Sequence, residues 1–284
     1  ATMPKQRRAG GAATRASLLF TPEAAGAMDA PQICALGTNG LLELCAADPA
    51  FHKHQALFAP AERQLSRELQ TAEANAKLDR SLGAFLRALS PHFLAGAAHK
   101  ALEFLIWRYG VHVHNVDAVA RCALPYHGTR WFARVAQLLR LDGGAWAWVA
   151  PAGKRAAAAP LDRAAVVARC QKDAGLLRAL CALGVEEDGD TPRGARRLAF
   201  STVVVLELLG GSGGGGGIPK AESLQEVVSH LSRVLSADAP RAAQQAGCML
   251  VAQLGARLPL SPQISIALAE RVCLCLVGGA APTE

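Results

Sequence analysis

Aromatic residues are scarce in this 284-residue chain, since Phe, Trp and Tyr together make up only 5% of it. The strands of β-sandwiches and barrels are rich in aromatic and β-branched residues, so this composition disfavours an all-β fold. Alanine, the strongest helix former, instead occupies 58 positions. We therefore expect an all-α protein.

Charged residues are also few, at 19% of the chain, but Lys and Arg outnumber Asp and Glu by 30 to 23. The resulting net charge of +7 permits an acidic partner such as RNA without requiring one. Apolar residues make up 51% of the chain, too large a share for a chain that is disordered throughout. The strongest apolar run, 200–209, is too short to cross a bilayer and contains Glu207, so we expect no membrane partner.

No secretory signal is visible, because the basic start of the chain lacks an apolar stretch before a cleavage site. The Arg- and Ser-containing segment 1–16 fits a transit peptide, a nuclear-targeting signal or a plain disordered arm equally well. The chain begins with Ala1 rather than Met, and its last predicted helix is barely closed. From these two features we expect a piece of a longer protein.

Metal sites are disfavoured by the spacing of the potential ligands. The eight cysteines lie in apolar, helix-like runs without the paired spacing of a zinc site, which is typical of reduced, buried thiols. His112 and His114 form an H-x-H pair with Asp117 as a third potential ligand, and His52 and His54 repeat the spacing. Roles in turns or helix caps explain these histidines better, so we expect no metal and no cofactor.

Sequence motifs for catalysis are also missing: the chain has no G-x-S-x-G, no H-E-x-x-H and no G-x-G-x-x-G after a strand. The Gly-rich run 210–217 lacks the Gly-Lys-Ser/Thr ending of a phosphate-binding loop and is typical of a flexible linker. We therefore expect a protein that is not an enzyme, with no catalytic residue and no small-molecule substrate.

Apolar residues recur with helical spacing from Ser17 onward. One face is formed by the positions from Leu78 to Leu89, spaced i, i+4, i+7, i+8 and i+11. Gly110 is expected to end the following helix, Asn115 or Asp117 to cap the next, and Thr129 to cap another. The sequence thus predicts a succession of helices joined by short turns.

The last third of the chain has the most regular pattern. Ser223 and Glu226 have the spacing of a capping box, which opens a helix, and the apolar pattern from Leu224 repeats at Ile264, 40 residues later. This period is typical of HEAT and armadillo arrays, in which two helices form each repeat. The predicted fold is an α-solenoid of HEAT-like antiparallel helical hairpins.

Shifts in composition divide the chain into six predicted segments. These are a flexible basic arm (1–16), an N-terminal helical domain (17–141), a loop or small hairpin insert (142–160), a helical hairpin (161–209), a Gly-rich linker (210–218) and HEAT-like repeats that continue into a longer solenoid (219–284).

Segment 100–141 concentrates charge and aromatic residues. It holds six Lys and Arg residues against Glu103 and Asp117, with Trp107, Tyr109, Tyr126, Trp131 and Phe132 interleaved. One interpretation is a solvated basic face over an aromatic core; the other is a contact surface for RNA phosphate or for an acidic protein. Arginine suits phosphate and carboxylate equally, so the residue types do not choose between these partners.

The same segment resembles a known family. Its family-like positions are Leu102, Glu103, Phe104, Leu105, Ile106, Arg108, Tyr109, Val113, His114, Asn115, Asp117, Leu124, Pro125, Tyr126, His127, Thr129, Arg130, Phe132, Arg134 and Gln137. They resemble the N-terminal region of the HEAT repeat-containing protein 1 family, which includes the yeast U-three small nucleolar RNA-associated protein 10. The stretches 17–25, 35–51 and 86–94 are similar to the same region, in the same order. Phe104 departs from the Trp of the family pattern.

The resemblance implies a very large HEAT solenoid of the nucleolus without catalytic residues. It implies a scaffold of the small-subunit processome that acts in early assembly on the 5′ external transcribed spacer of pre-ribosomal RNA, in 18S rRNA maturation and in RNA polymerase I transcription. The implied partners are WD-repeat and helical proteins of the early subcomplex, with pre-ribosomal RNA and small nucleolar RNA in the same particle. The alternative is a generic helical-repeat adaptor for transport or trafficking, with no RNA role.

Eight residues of the family-like segment are candidates for a partner interface. In the turn at 124–130, Pro125 ends one helix, Thr129 caps the next, and Tyr126 and His127 are expected to bond the turn backbone. The candidates are Arg108, His114, Asn115, Asp117, Tyr126, His127, Arg130 and Arg134.

Overall fold

The computed structural model describes residues 15–142, 145–150, 160–183, 192–211 and 219–278. In these ranges every regular element is a helix and no strand occurs, so the predicted all-α class is confirmed. The predictions for the basic arm before Arg15, for most of the insert at 142–160 and for the Gly-rich linker fall outside the described residues. Of the insert, the structure describes a 3₁₀ turn at Ala147–Val149.

Two compact units make up the chain. The first consists of Ala1–Ala123 and Arg134–Ala158, and the second of Leu124–Ala133 and Ala159–Glu284. The first unit contains helices α1 (Pro22–Ala27), α2 (Ala30–Ala47), α3 (Ala72–Leu89), α4 (Gly96–Tyr109), α5 (Val111–His114) and α6 (Val116–Ala123), with 3₁₀ segments at Pro49–Phe58, Arg67–Leu69 and Ser90–His92. Helix α7 (Arg130–Leu138) contributes residues to both units.

Local sequence signals account for the helix ends in the first unit. Asp29 and Gln32 form a capping box at the start of α2, and the Thr71 hydroxyl accepts a hydrogen bond from the Ala74 backbone at the start of α3. Gly110 ends α4 with φ = 60°, the left-handed conformation that favours glycine. The predicted stop at Gly110 is confirmed.

Helices α2 and α4 run antiparallel at close range. Gly37 faces Phe104, whereas Gly40, one turn later in α2, faces Ala97 and Ala101, which come earlier in α4. A Cβ atom at Gly40 would lie 2.8 Å from the Ala101 nitrogen and from the Ala97 oxygen, closer than van der Waals contact permits. The two glycines therefore set the spacing of this helix pair.

An aromatic cluster forms the core between α3, α4 and the 3₁₀ segment Pro49–Phe58. Phe58 lies 5.2 Å from both Phe85 and Phe104, and Phe51 lies 5.7 Å from Phe85, measured between ring centroids. Phe51, Phe85 and Phe104 are fully buried. The scarce aromatic residues are thus concentrated where they join three elements.

The second unit has the packing pattern of stacked hairpins. Its helices are α8 (Arg163–Cys170), α9 (Ala174–Leu183), α10 (Pro192–Gly210), α11 (Ala221–Val234), α12 (Arg241–Arg257) and α13 (Pro262–Gly278), with a 3₁₀ turn at Leu124–Tyr126. Helix α9 packs on α11 and α10 packs on α12, so each helix contacts its counterpart in the next pair.

The predicted 40-residue period is visible as contacts between α11 and α13. Arg271 donates to the Ser232 carbonyl at 3.1 Å, and the Cys275 thiol donates to the Leu235 carbonyl at 3.5 Å. These partners are 39 and 40 residues apart in sequence, so α13 runs in the same direction as α11, one repeat further on.

The predicted capping box at Ser223 is wrong. Helix α11 begins at Ala221, with Lys220 at the N-cap, so Ser223 lies inside the helix and is only 2% exposed. Glu226 instead accepts two hydrogen bonds from the Arg178 guanidinium. A forked arginine–carboxylate pair is stronger than a cap hydrogen bond, which explains the exchange of partners.

None of the described helices combines the length and apolar character that crossing a membrane requires.

Candidate partner interface

The segment Ser17–Phe20 is held between α4 and α7. One carboxylate oxygen of Glu103 accepts hydrogen bonds from the backbone N–H groups of Leu18 at 2.7 Å and Leu19 at 3.1 Å. The Arg134 guanidinium donates to the Ser17 carbonyl at 2.9 Å. Among the interface candidates, Arg134 therefore has a structural role inside the first unit.

Asn115 belongs to a network with Arg67 and Asp79. Its amide donates to Asp79 at 2.7 Å and accepts from Arg67 at 3.3 Å, while Arg67 also pairs with Asp79. Partial burial by itself would raise the pKa of Asp79, but the hydrogen bonds from Arg67 and Asn115 outweigh it and lower that pKa. Asn115 is 8% exposed, so this side chain is engaged inside the first unit.

His112 and His114 lie on the single-turn helix α5. The His112 carbonyl accepts the Arg140 N–H at 2.9 Å, and burial lowers the pKa of the His112 imidazole. His114 is exposed. Across the described ranges, no three His, Cys, Asp or Glu side chains come close enough to share a metal ion.

Arg108 and Asp117 are tied to neighbouring elements of the first unit. Arg108 donates to the Arg63 carbonyl, and its guanidinium lies 5.6 Å from the centroid of the Tyr109 ring. Asp117 is exposed, pairs with Arg121 at 3.0 Å and accepts the Trp146 indole N–H at 3.0 Å. Arg108 and His114 line one cavity, whereas Asp117 and Arg134 are not part of its lining.

The second unit brings Tyr126, His127 and Arg130 together in one turn. Tyr126 is 3% exposed, with the Arg196 guanidinium 5.0 Å from its ring centroid. His127 bonds backbone outside the turn, since its Nδ1 lies 2.7 Å from the Leu161 carbonyl, whereas the prediction was a bond to the turn backbone itself. The Thr129 hydroxyl accepts the Phe132 N–H at 3.3 Å, so the predicted cap is confirmed.

Arg130 differs from the other candidates of this turn. Its side chain is exposed, and its guanidinium lies 5.2 Å from the centroid of the Trp131 ring. Among the eight candidates, the exposed residues are His114, Asp117 and Arg130.

The chain is similar to several named proteins. It is 40% identical over 171 residues to human HEAT repeat-containing protein 1, a match that covers 59% of this chain and 8% of that protein. This chain is a homologue of HEAT repeat-containing protein 1. The resemblance inferred from residues 17–141 is confirmed, and the helix pairs together with this homology confirm the α-solenoid class.

Two further relatives extend the comparison. The HEAT repeat-containing protein 1 homologue of Drosophila melanogaster is 34% identical over 279 residues, which covers 93% of this chain and 13% of that protein. The U3 small nucleolar RNA-associated protein 10 of Meyerozyma guilliermondii is 37% identical over 124 residues, 43% of this chain and 7% of that protein. The chain thus spans only a small part of the length of its HEAT repeat-containing protein 1 relatives. No family profile matches it.

Three residues whose hydrogen bonds hold segments of the first unit together were not identified from the sequence. Glu103, which is fully buried, was predicted only as one charge of segment 100–141 and as a family-like position, and neither Arg67 nor Asp79 was singled out. A signal for Glu103 was present in the sequence, because a carboxylate between Leu102 and Phe104 on an apolar helix is expected to have a specific partner.

The net positive charge of the sequence falls mainly in the first unit. The residues of that unit include 17 Lys and Arg and 11 Asp and Glu, whereas those of the second unit include 13 and 12. Three acidic groups of the second unit are paired, in Arg163–Glu207, Arg169–Asp173 and Arg178–Glu226.

Proposed function

We propose that this chain is part of a non-catalytic scaffold of the small-subunit processome. In this role it supports early assembly on the 5′ external transcribed spacer of pre-ribosomal RNA, 18S rRNA maturation and RNA polymerase I transcription, in the nucleolus. The observation that carries the proposal is homology to proteins named HEAT repeat-containing protein 1 and U3 small nucleolar RNA-associated protein 10.

Two structural features support a scaffold role. Stacked helix pairs such as α9 to α12 expose long surfaces along which several partners can bind side by side. The net charge of +7 on the chain favours acidic partners, either protein or RNA. The proposed partners are WD-repeat and helical proteins of the early subcomplex, with pre-ribosomal RNA and small nucleolar RNA in the same particle.

Within the family-like segment, we assign partner contact chiefly to Arg130. Its exposed guanidinium lies 5.2 Å from the ring centroid of the half-buried Trp131, and an arginine suits both carboxylates and phosphates. His114 and Asp117 are the other exposed candidates. Asn115, Tyr126 and Arg134 are engaged inside their own units, so they support the interface by holding its shape.

The test is affinity purification of the tagged full-length protein from cells, with bound RNA and bound proteins identified together. We expect 5′ external transcribed spacer RNA and WD-repeat nucleolar proteins to be enriched, and fluorescence of the tagged protein to be nucleolar. Recovery of transport receptors or vesicle coats without pre-ribosomal RNA would instead support the adaptor alternative.

A matched pair of variants locates the interface. Arg130→Glu is expected to reduce recovery of these partners at least fivefold, whereas Arg80→Glu, an exposed charge reversal on α3, leaves recovery unchanged. Equal recovery with both variants would exclude Arg130 from the interface without affecting the processome assignment.

A further inference from the structure

A groove of the first unit is not explained by the contacts above. It consists of two adjoining cavities of about 500 and 620 Å³ that share Gln64, Leu65 and Arg108. Loop 61–70 lines the smaller cavity, and the larger one lies between α1 and the C-terminal end of α4 together with α5.

Arg15 is held in place in the wall of the larger cavity. Its side chain is 12% exposed, its Nη1 donates to the Ala25 carbonyl at 3.1 Å, and its Nη2 lies 3.6 Å from the Glu103 carboxylate. The guanidinium is therefore positioned before any ligand binds, and charge-assisted hydrogen bonds from such a group to an anionic oxygen are strong.

The charge of the larger cavity has one sign. Arg15 and Arg108 line it, and no Asp or Glu does. The remaining lining combines apolar side chains, including Met28, Leu65 and Ile106, with the polar side chains of Gln64, His112 and His114. In the smaller cavity, Leu69 is 84% exposed. A ligand that suits this lining carries an anionic oxygen group with apolar groups beside it.

These features fit a peptide better than a nucleic acid. Single-stranded nucleic acids bind along series of cations with exposed aromatic faces for base stacking. Trp107 and Tyr109, the aromatic residues of the larger cavity, are each only 8% exposed.

We propose that this groove binds an acidic peptide segment of a partner protein, with a carboxylate between Arg15 and Arg108 and its apolar neighbours against Leu65 and Leu69. This assignment does not depend on the processome role, because it rests on the lining of the groove alone. An adaptor with no RNA role would use the groove in the same way.

Glycine positions offer a clean way to block the groove. Gly26 lines the larger cavity, and no atom lies within 4 Å of a Cβ built there. Gly26→Phe therefore adds a bulky side chain at a lining position of the groove without a clash at its Cβ atom. Gly96→Phe is the matched control, since Gly96 is exposed, equally free of close neighbours and not part of the groove lining. Arg108→Gln removes the charge shared by the two cavities.

The experiment is selection of a displayed random dodecapeptide library on the 284-residue chain, followed by affinity measurement with the enriched peptides. We expect enriched sequences with Asp or Glu between apolar residues. Their Kd should rise at least tenfold with Gly26→Phe and at least fivefold with Arg108→Gln, but stay within twofold with Gly96→Phe. Circular dichroism verifies that all three variants retain the helix content of the parent chain.

Three results would overturn the proposal. The first is the absence of any enriched peptide, and the second is enrichment of peptides that lack an acidic residue or bind Gly26→Phe as well as the parent. The third is binding of a twelve-nucleotide oligouridine that Gly26→Phe abolishes, which would assign the groove to nucleic acid. A failure to recover pre-ribosomal RNA from cells has no bearing on these measurements.

Discussion

The Glu103 carboxylate accepts the backbone N–H of Leu18 at 2.7 Å, across 85 positions of sequence. The same oxygen accepts the N–H of Leu19, and the other lies 3.6 Å from the Arg15 guanidinium. One fully buried acidic residue on α4 thus orders the N-terminal segment, and it also fixes the Arg15 side chain that lines the groove.

Replacing Glu103 is expected to destabilise the first unit. Glu103→Gln removes the charge that faces Arg15 and weakens charge-assisted hydrogen bonds to two N–H groups, which costs about 1–3 kcal/mol. Urea unfolding followed by circular dichroism measures the change. Glu62→Gln, at an exposed position, serves as the control and should alter the free energy of unfolding by less than about 0.5 kcal/mol. Equal stability of the two variants would contradict the anchoring role.

Arg130 and Arg134 lie on the same helix. Variants of the two should show which residue stabilises the fold and which contacts a partner. Arg134 donates to the Ser17 carbonyl, so Arg134→Leu should lower the free energy of unfolding by about 1–3 kcal/mol. Arg130 is exposed, so Arg130→Glu should change the free energy of unfolding by less than about 0.5 kcal/mol. The same variant should reduce the amount of partner that is recovered. Thermal unfolding of both proteins provides the comparison; a large loss with Arg130→Glu would indicate a structural role for that residue as well.

The close approach of α2 and α4 predicts intolerance to any side chain at Gly40. Gly40→Ala places a methyl group against backbone atoms of Ala97 and Ala101, so the helices must separate at a cost of about 1–3 kcal/mol. Gly255→Ala on α12 meets no atom within 4 Å and should stabilise the chain by up to about 1 kcal/mol. Differential scanning calorimetry should therefore show Tm shifts of opposite sign; a neutral Gly40→Ala would mean that the two helices separate readily.

His230 predicts a loss of stability in mild acid. It is fully buried on α11, its two ring nitrogens have no hydrogen-bond partner, and burial followed by the Arg233 charge lowers its pKa to about 4. Below pH 6.5 the unfolded chain binds a proton that the folded chain does not bind until about pH 4. The contribution of His230 to the free energy of unfolding is therefore complete above pH 6.5. About 3 kcal/mol of that contribution is lost as the pH falls to 4.

Urea unfolding at pH 7 and pH 5 tests this assignment. The difference in stability between the two pH values should be smaller in His230→Leu than in the parent chain, because the titrating group has been removed. His52→Leu, at an exposed position, should leave the difference unchanged. If the stability of His230→Leu depends on pH as strongly as that of the parent chain, then groups other than His230 cause the dependence.

Local signals were sufficient for the elements of the fold. The alanine content, the apolar spacing on α3, the stop at Gly110 and the Thr129 cap all act within one helical turn, so they can be recognised in sequence. The 40-residue period was recognisable because equivalent helices bury equivalent apolar faces. At Ser223 a local signal failed, because Arg178, far away in sequence, supplied Glu226 with a better partner.

Tertiary structure alone decided which charged residues remain available to a partner. In sequence, Glu103, Arg134 and Arg130 are equivalent members of one basic, family-like segment. In the structure, the first two bond the backbone of residues 17–19, while Arg130 is exposed. The groove likewise exists only because loop 61–70, α1 and the end of α4 meet. Sequence thus determined the helices and their repeat, since these depend on short-range spacing, whereas the free surface depends on contacts between residues that are distant along the chain.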